Sequence, residues 1–265
     1  MNSWKEYQIA VSGTHHVRGS DPAYEERFDQ VLSFHEPGLA AVRKGEHAWH
    51  ISPSGRPAYA RRFERTFGYY QQRAAVCDET GWFHIDVNGA ALYNHRFAWC
   101  GNFQQSLCAV RDLTDNYFHI KLDGELAYEQ KWKYAGDYRD ANAVVQGVAG
   151  FSTHIDSFGN ETHGVWFIDL DVFHKGFARA RDAEGWTHID KTGKAIYRRR
   201  FALIEPFYNG QARVERFDGG IEIIDEMGNC RAEVRQSLKS KSSVKRINKL
   251  KLKVANSTPL EKRQG

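Results

Sequence analysis

Proline and methionine are scarce in this 265-residue chain, six and two respectively, and no apolar run approaches the roughly 18–20 residues that a spanning helix needs. The first scarcity excludes a collagen-like or proline-rich chain, and the second absence excludes a bundle of membrane helices. The stretch from Met1 to Ala10 lacks the charged-then-apolar layout of a secretory signal, so a cytoplasmic location is expected. Four cysteines, Cys77, Cys100, Cys108 and Cys230, form no C-x-x-C pair and no ladder. Metal-finger and disulfide-framework readings therefore fall away, leaving ordinary thiols in a reducing compartment. No strand pattern runs into a Gly-x-Gly-x-Gly-type loop, so no cofactor is expected.

What is present is a globular composition, 41% hydrophobic and 13% aromatic. The formal charge of +4 is unevenly placed. Residues 236–265 hold nine Lys or Arg and one acid, Glu261, so residues 1–235 carry 28 basic and 32 acidic side chains, a formal −4. A mildly acidic body gives no reason to expect nucleic acid on the fold. The chain is therefore divided into a body, 1–235, and a basic C-terminal tail, 236–265. In the tail Ile247, Leu250 and Val254 lie at helical spacing among lysines. A solvated tail is the expectation, with docking on an acidic partner or membrane surface as the alternative.

The body is periodic. His16, His50, His84, His119, His154 and His188 step by 34, 34, 35, 35 and 34 residues, and the next step lands on Ile223. A glycine column (Gly55, Gly89, Gly124, Gly159, Gly193, Gly228) runs beside it, followed by Tyr24, Tyr59, Tyr93, Tyr128, His163 and Tyr197. Next come pairs such as Arg27-Phe28, Arg62-Phe63, Arg96-Phe97 and Lys131-Trp132, and an aromatic column from Phe34 to Phe207. Seven repeats of about 34 residues thus occupy roughly 5–235, the first degenerate. Alternating segments such as Trp82-Phe83-His84-Ile85-Asp86 have the period of strands, and Asp-x-x-Gly as in Asp86–Gly89 reads as a turn. Each repeat is a three-stranded meander that buries its apolar face only against its neighbours.

The run small-Ala-x-Val, then Gly81-Trp82 or Gly185-Trp186, Ile-Asp-x-x-Gly and Tyr-x-x-Arg-Phe resembles the bacterial WG-type β-repeat. Tyr197–Phe201 and Glu205–Gly210 further resemble the repeat region that precedes an S-adenosylmethionine-dependent methyltransferase domain in some bacterial proteins. The resemblance runs to about Arg235 and stops there, so methyl transfer is not carried over. What it implies is an accessory role beside a methyltransferase-like enzyme encoded separately, or a truncated remnant of a longer protein. The fold class is all-β: a β-propeller, whose ring removes exposed edges, is favoured over an open β-solenoid.

Six aligned imidazoles invite a metal reading. Equivalent positions on packed sheets lie about 10 Å apart, whereas the ligands of one zinc all come within about 2.1 Å of it. A structural role for the six histidines is expected instead, with His hydrogen-bonded to Asp two residues on (Asp86, Asp156, Asp190). A solenoid, stacking strands about 4.8 Å apart, would bring the metal reading back. The Arg column is expected to stack on aromatic rings and pair with repeat acids rather than to bind anions.

Functional residues in repeat proteins are sought where the pattern breaks. It breaks most in the fourth repeat, where His163 replaces Tyr and Trp166 replaces Arg, followed by Asp169, Asp171, His174 and Lys175. Trp166, Asp169, Asp171, His174 and Lys175 are the candidate binding residues; an enzymatic or metal-dependent site there is the competing reading. The connections Trp99–Asn102 and Tyr134–Asp137 combine aromatic and polar residues as binding rims do. The expected function is a non-catalytic module for a protein or small-molecule ligand.

Overall fold

In the computed structural model, residues 3–237 are described, and the basic tail beyond Ser237 lies outside them. Two compact units divide the chain, Met1–Trp166 and Phe167–Gly265. Among the described residues there are seven antiparallel sheets, following one another in chain order.

The first unit holds five sheets. The first is short (Tyr7–Ile9, His16–Arg18, Asp21–Pro22), matching its degenerate sequence. The next four share one plan, a two-residue strand followed by a hairpin of two longer ones: Gln30–Val31, Ala40–Lys44, His47–Ile51; Arg65–Thr66, Ala74–Asp78, Gly81–Ile85; Trp99–Cys100, Leu107–Arg111, Tyr117–Lys121; and Tyr134–Ala135, Ala143–Gln146, Ser152–Ile155. The second unit repeats the plan in a sixth sheet (Asp169–Leu170, Ala178–Asp182, Gly185–Ile189). Its seventh sheet (Leu203–Ile204, Gln211–Glu215, Ile221–Asp225) gains a fourth strand, Cys230–Arg235. No helix among the described residues is long and apolar enough to cross a membrane.

The Asp-x-x-Gly turns form as expected, and they consume the aspartates. Asp86 accepts the N–H groups of Asn88 and Ala90 at 2.9 and 2.8 Å, and Asp190 those of Thr192 and Lys194 at 2.8 and 3.2 Å. The turn glycines Gly55, Gly89, Gly124, Gly159 and Gly228 each lie under a tyrosine ring of the preceding repeat. At Gly124, with φ +86°, a Cβ would stand 2.4 Å from the Tyr93 ring, so only glycine fits. The Gly of the Gly-Trp dipeptide has its own cause. A Cβ on Gly81 would meet the carbonyl oxygen of Phe97 at 2.9 Å, where Trp82 and Phe97 exchange backbone hydrogen bonds.

Candidate functional site

All six column histidines are buried, at most 1% exposed. Their partners are not the aspartates expected from strand alternation, which are held in the turns. Nε2 of His16, His50, His84 and His119 meets the carbonyl oxygen of Leu32, Phe67, Gly101 and Gly136 in the next sheet, at 2.9, 2.8, 3.0 and 2.8 Å. In the second unit His188 reaches Glu205 at 2.9 Å. A carbonyl only accepts, so Nε2 carries the proton and Nδ1 is left to accept from a tyrosine hydroxyl. Tyr24 supplies it at 2.6 Å to His16 and Tyr197 at 2.6 Å to His188; Tyr59, Tyr93 and Tyr128 do the same for His50, His84 and His119. The ring two residues past the carbonyl covers the imidazole, as Phe103 covers His84 with centroids 4.6 Å apart. Burial drives His50, His84, His119 and His188 down to about 4, opposed only in part by the carbonyl bonds. These are neutral clasps between sheets.

The Arg column closes loops. One terminal nitrogen of Arg96 donates to the carbonyls of Tyr93, Asn94 and His95, while its guanidinium lies 3.7 Å from the centre of the Phe83 ring. Arg62 does the same with Tyr59, Ala60 and Arg61 and covers Trp49 at 4.3 Å. Lys131 and Arg200 pair with Asp112 and Asp182 at 2.7 and 2.8 Å.

Counted by sheets, the irregular stretch begins in the fifth. His163 stands in for the tyrosine. Its Nδ1 accepts the Val165 N–H at 3.1 Å, so its Nε2–H is directed to Nδ1 of His154 at 2.9 Å. Thr153 donates to the Val165 carbonyl at 2.9 Å, the loop oxygen that a column arginine would otherwise hold. Trp166 does not hold that carbonyl; it donates from Nε1 to Glu161 at 3.1 Å and packs against Gly147. Trp166 ends the first unit; Asp169, Asp171, His174 and Lys175 belong to the second. There Asp169 is exposed, Asp171 pairs with Arg179, and His174 is bridged through its backbone to Phe177. Lys175 lies 5.7 Å from the Tyr208 ring centre. Among the described residues no group of three or more His, Cys, Asp or Glu is placed to hold a metal ion.

A different set of residues comes together in the first unit. The first residue of each short strand is left free by the repeat: Gln30, Arg65, Trp99 and Tyr134. The second is consistently sheltered: Val31, Cys100 and Ala135 are buried and Thr66 half-buried. From this row an aromatic chain extends, with Trp99 6.1 Å from Tyr117 and Tyr117 5.7 Å from Tyr134 between centroids. Arg111, opposite Trp99 in the register, lies 5.9 Å from the Tyr117 ring centre.

At the Gln30–Arg65–Trp99 end the row borders an open pocket of about 650 Å³. Buried Ala41 and Ala48 and half-buried Leu32 give it apolar wall. Exposed Arg43, Arg65, Glu46 and Glu64 also line it, and among the described residues none of the four forms an ion pair. The aromatic–polar connections singled out in the sequence, Trp99–Asn102 and Tyr134–Asp137, supply half of this row. Arg65 and Gln30 share no residue type with their equivalents, so a comparison of sequence columns passes over them.

No protein-family model matches the chain, and no curated protein matches it. Among solved structures, a eukaryotic initiation factor superposes with a TM-score of 0.54 at 10% identity, over 87% of this chain and 73% of that one. At that identity the likeness is one of fold. BamB from Moraxella catarrhalis gives 0.48 at 11% identity, covering 87% and 85%. The WD40 beta propeller domain of Doa1 gives 0.38 at 14%, covering 87% and 86%.

Proposed function

We propose that this chain is a non-catalytic β-repeat module of the WG type that binds a polypeptide through the row Arg65–Trp99–Tyr134 in its first unit. One observation carries the reading. The histidines, tyrosines, glycines and column arginines are spent on holding sheets and loops together, whereas this structurally equivalent position is free of that duty and carries Arg, Trp and Tyr. Those three residue types dominate the energetics of protein interfaces, because large rigid rings and a planar guanidinium bury much area at little entropic cost. The resemblance noted in the sequence makes a methyltransferase-like enzyme the first partner class to try.

The test is a peptide-display selection on the purified full chain, counter-selected with the double variant Trp99→Ala and Tyr134→Ala. A shared motif that the variant fails to retain supports the reading. A motif retained equally by the variant, or no motif at all, overturns it.

A further inference from the structure

We infer that the pocket bordered by Gln30, Arg43, Ala48 and Arg65 receives a planar aromatic group carrying a single carboxylate. The inference rests on the binding role proposed above and names the chemistry of one ligand group.

The repeat's own packing points to the ring. Two residues before each column histidine the third and fourth sheets place a large ring, Trp82 and Tyr117. Trp82 stacks on Phe67 with centroids 5.2 Å apart and planes 20° off parallel, and Tyr117 packs against Trp99 at 6.1 Å. In the second sheet the equivalents of Trp82 and Phe67 are Ala48 and Leu32. Both line the pocket, and so do Phe67 and Trp82 themselves, so the pocket lies between the small pair of the second sheet and the ring-on-ring stack of the third. Its volume of about 650 Å³ is in the range of small-ligand sites. An indole-sized ring entering it would replace packing that the fold supplies elsewhere from its own side chains.

The charges specify the substituent. Arg43 and Arg65 come from neighbouring sheets, line the same pocket and have no carboxylate partner among the described residues. A guanidinium binds a carboxylate through paired N–H donors. Glu46 and Glu64, which also line the pocket outside any ion pair of the described residues, disfavour a second negative charge. Gln30 offers an amide able to donate or accept. The Thr66 hydroxyl is already engaged with carbonyls of its own sheet, at 3.1 Å to Phe67 and 3.3 Å to Ala75.

Calorimetric titration of the full chain with N-acetyltryptophan, N-acetyltryptophanamide and N-acetylleucine tests this. The acid is expected to bind with a Kd below about 1 mM, the amide about tenfold more weakly, and the leucine derivative not measurably. Arg43→Gln should bring acid and amide to within about twofold of each other. Ala48→Trp, which restores the ring that Trp82 provides in the next sheet, should keep the fold and abolish binding of the acid; should it fail to fold, Ala48→Leu serves as the blocking variant. A capped heptapeptide containing Trp-Asp, titrated in parallel, identifies the source: tighter binding than the free acid assigns the group to a polypeptide, weaker binding to a small molecule. The inference is overturned if N-acetyltryptophan does not bind at about 10 mM, or if the blocking variant binds it as well as the parent. Tyr134 lies outside the pocket, so Tyr134-dependent peptide selection together with a failed titration would remove this inference alone.

Discussion

His84 in the third sheet presents its Nε2 to the carbonyl of Gly101 in the fourth at 3.0 Å, and the ring of Phe103, two residues on, covers the imidazole. The same contact recurs at His16, His50, His119 and His188, so within each unit these consecutive sheets are tied by a side chain to the backbone rather than by side chain to side chain. Each clasp needs a neutral imidazole, since only one of its two nitrogens carries a proton. That requirement makes the fold sensitive to acid.

Between about pH 6.5 and pH 4 the unfolded chain protonates its histidines while His50, His84, His119 and His188, held down to about 4, stay neutral in the fold. The unfolded state then binds more protons, so stability is full above this window and falls as pH drops through it. Each of the four costs up to about 1.4 kcal/mol per pH unit. Urea midpoints measured from pH 7.5 to pH 5 should fall steadily below about 6.5. A midpoint unchanged across that range contradicts the neutral-clasp assignment.

Tyr93→Phe removes the hydroxyl that His84 Nδ1 accepts and leaves a buried nitrogen unsatisfied. The expected loss is about 1–3 kcal/mol. Tyr208→Phe, at a tyrosine 73% exposed, should change stability negligibly and serves as the control. Equal denaturation midpoints for the two variants would show that the tyrosine column does not support the clasps.

Gly124→Ala and Gly150→Ala separate backbone strain from steric conflict. Both glycines have similar positive φ, +86° and +83°, but a Cβ on Gly124 would press on Tyr93 at 2.4 Å while one on Gly150 meets nothing within 4 Å. Gly150→Ala should cost about 1 kcal/mol, and Gly124→Ala about 2 kcal/mol more. Thermal melts of the pair decide it, and similar shifts would refute the steric account.

Arg96 and Arg65 should respond oppositely to replacement by lysine. Arg96→Lys loses three carbonyl contacts from one nitrogen and the planar cover over Phe83, and should lower the Tm by several degrees. Arg65→Lys touches no structural contact of this kind among the described residues and should leave the Tm unchanged while weakening binding of N-acetyltryptophan. If Arg65→Lys destabilises as much as Arg96→Lys, the row is structural and not a binding surface.

The sequence columns already contained the parts of the clasp. His and Tyr stood eight or nine residues apart in every repeat from the first to the sixth sheet, with His163 in the tyrosine's place once. What alternation supplied was a face, and on that face Asp86 and Asp190 looked like the partners. Their carboxylates are taken by turn N–H groups two and four residues on, a local competition that strand periodicity does not register. The irregular fifth-sheet residues are partly explained in the same way: His163 donates where tyrosine would, and Thr153 holds the carbonyl that Trp166 cannot.

By itself the sequence determined the all-β repeat, its period of about 34 residues, its turns and the residue types buried in each unit, because these follow from alternation and turn chemistry within a few neighbouring residues. Tertiary structure decided which groups meet across sheets: the carbonyl that receives each imidazole, and the pocket left by Ala48 and Leu32. A missing ring is silent in a sequence of small and apolar residues. It becomes a cavity only when the neighbouring sheet is packed beside it and nothing fills the place that Trp82 and Phe67 occupy one repeat later.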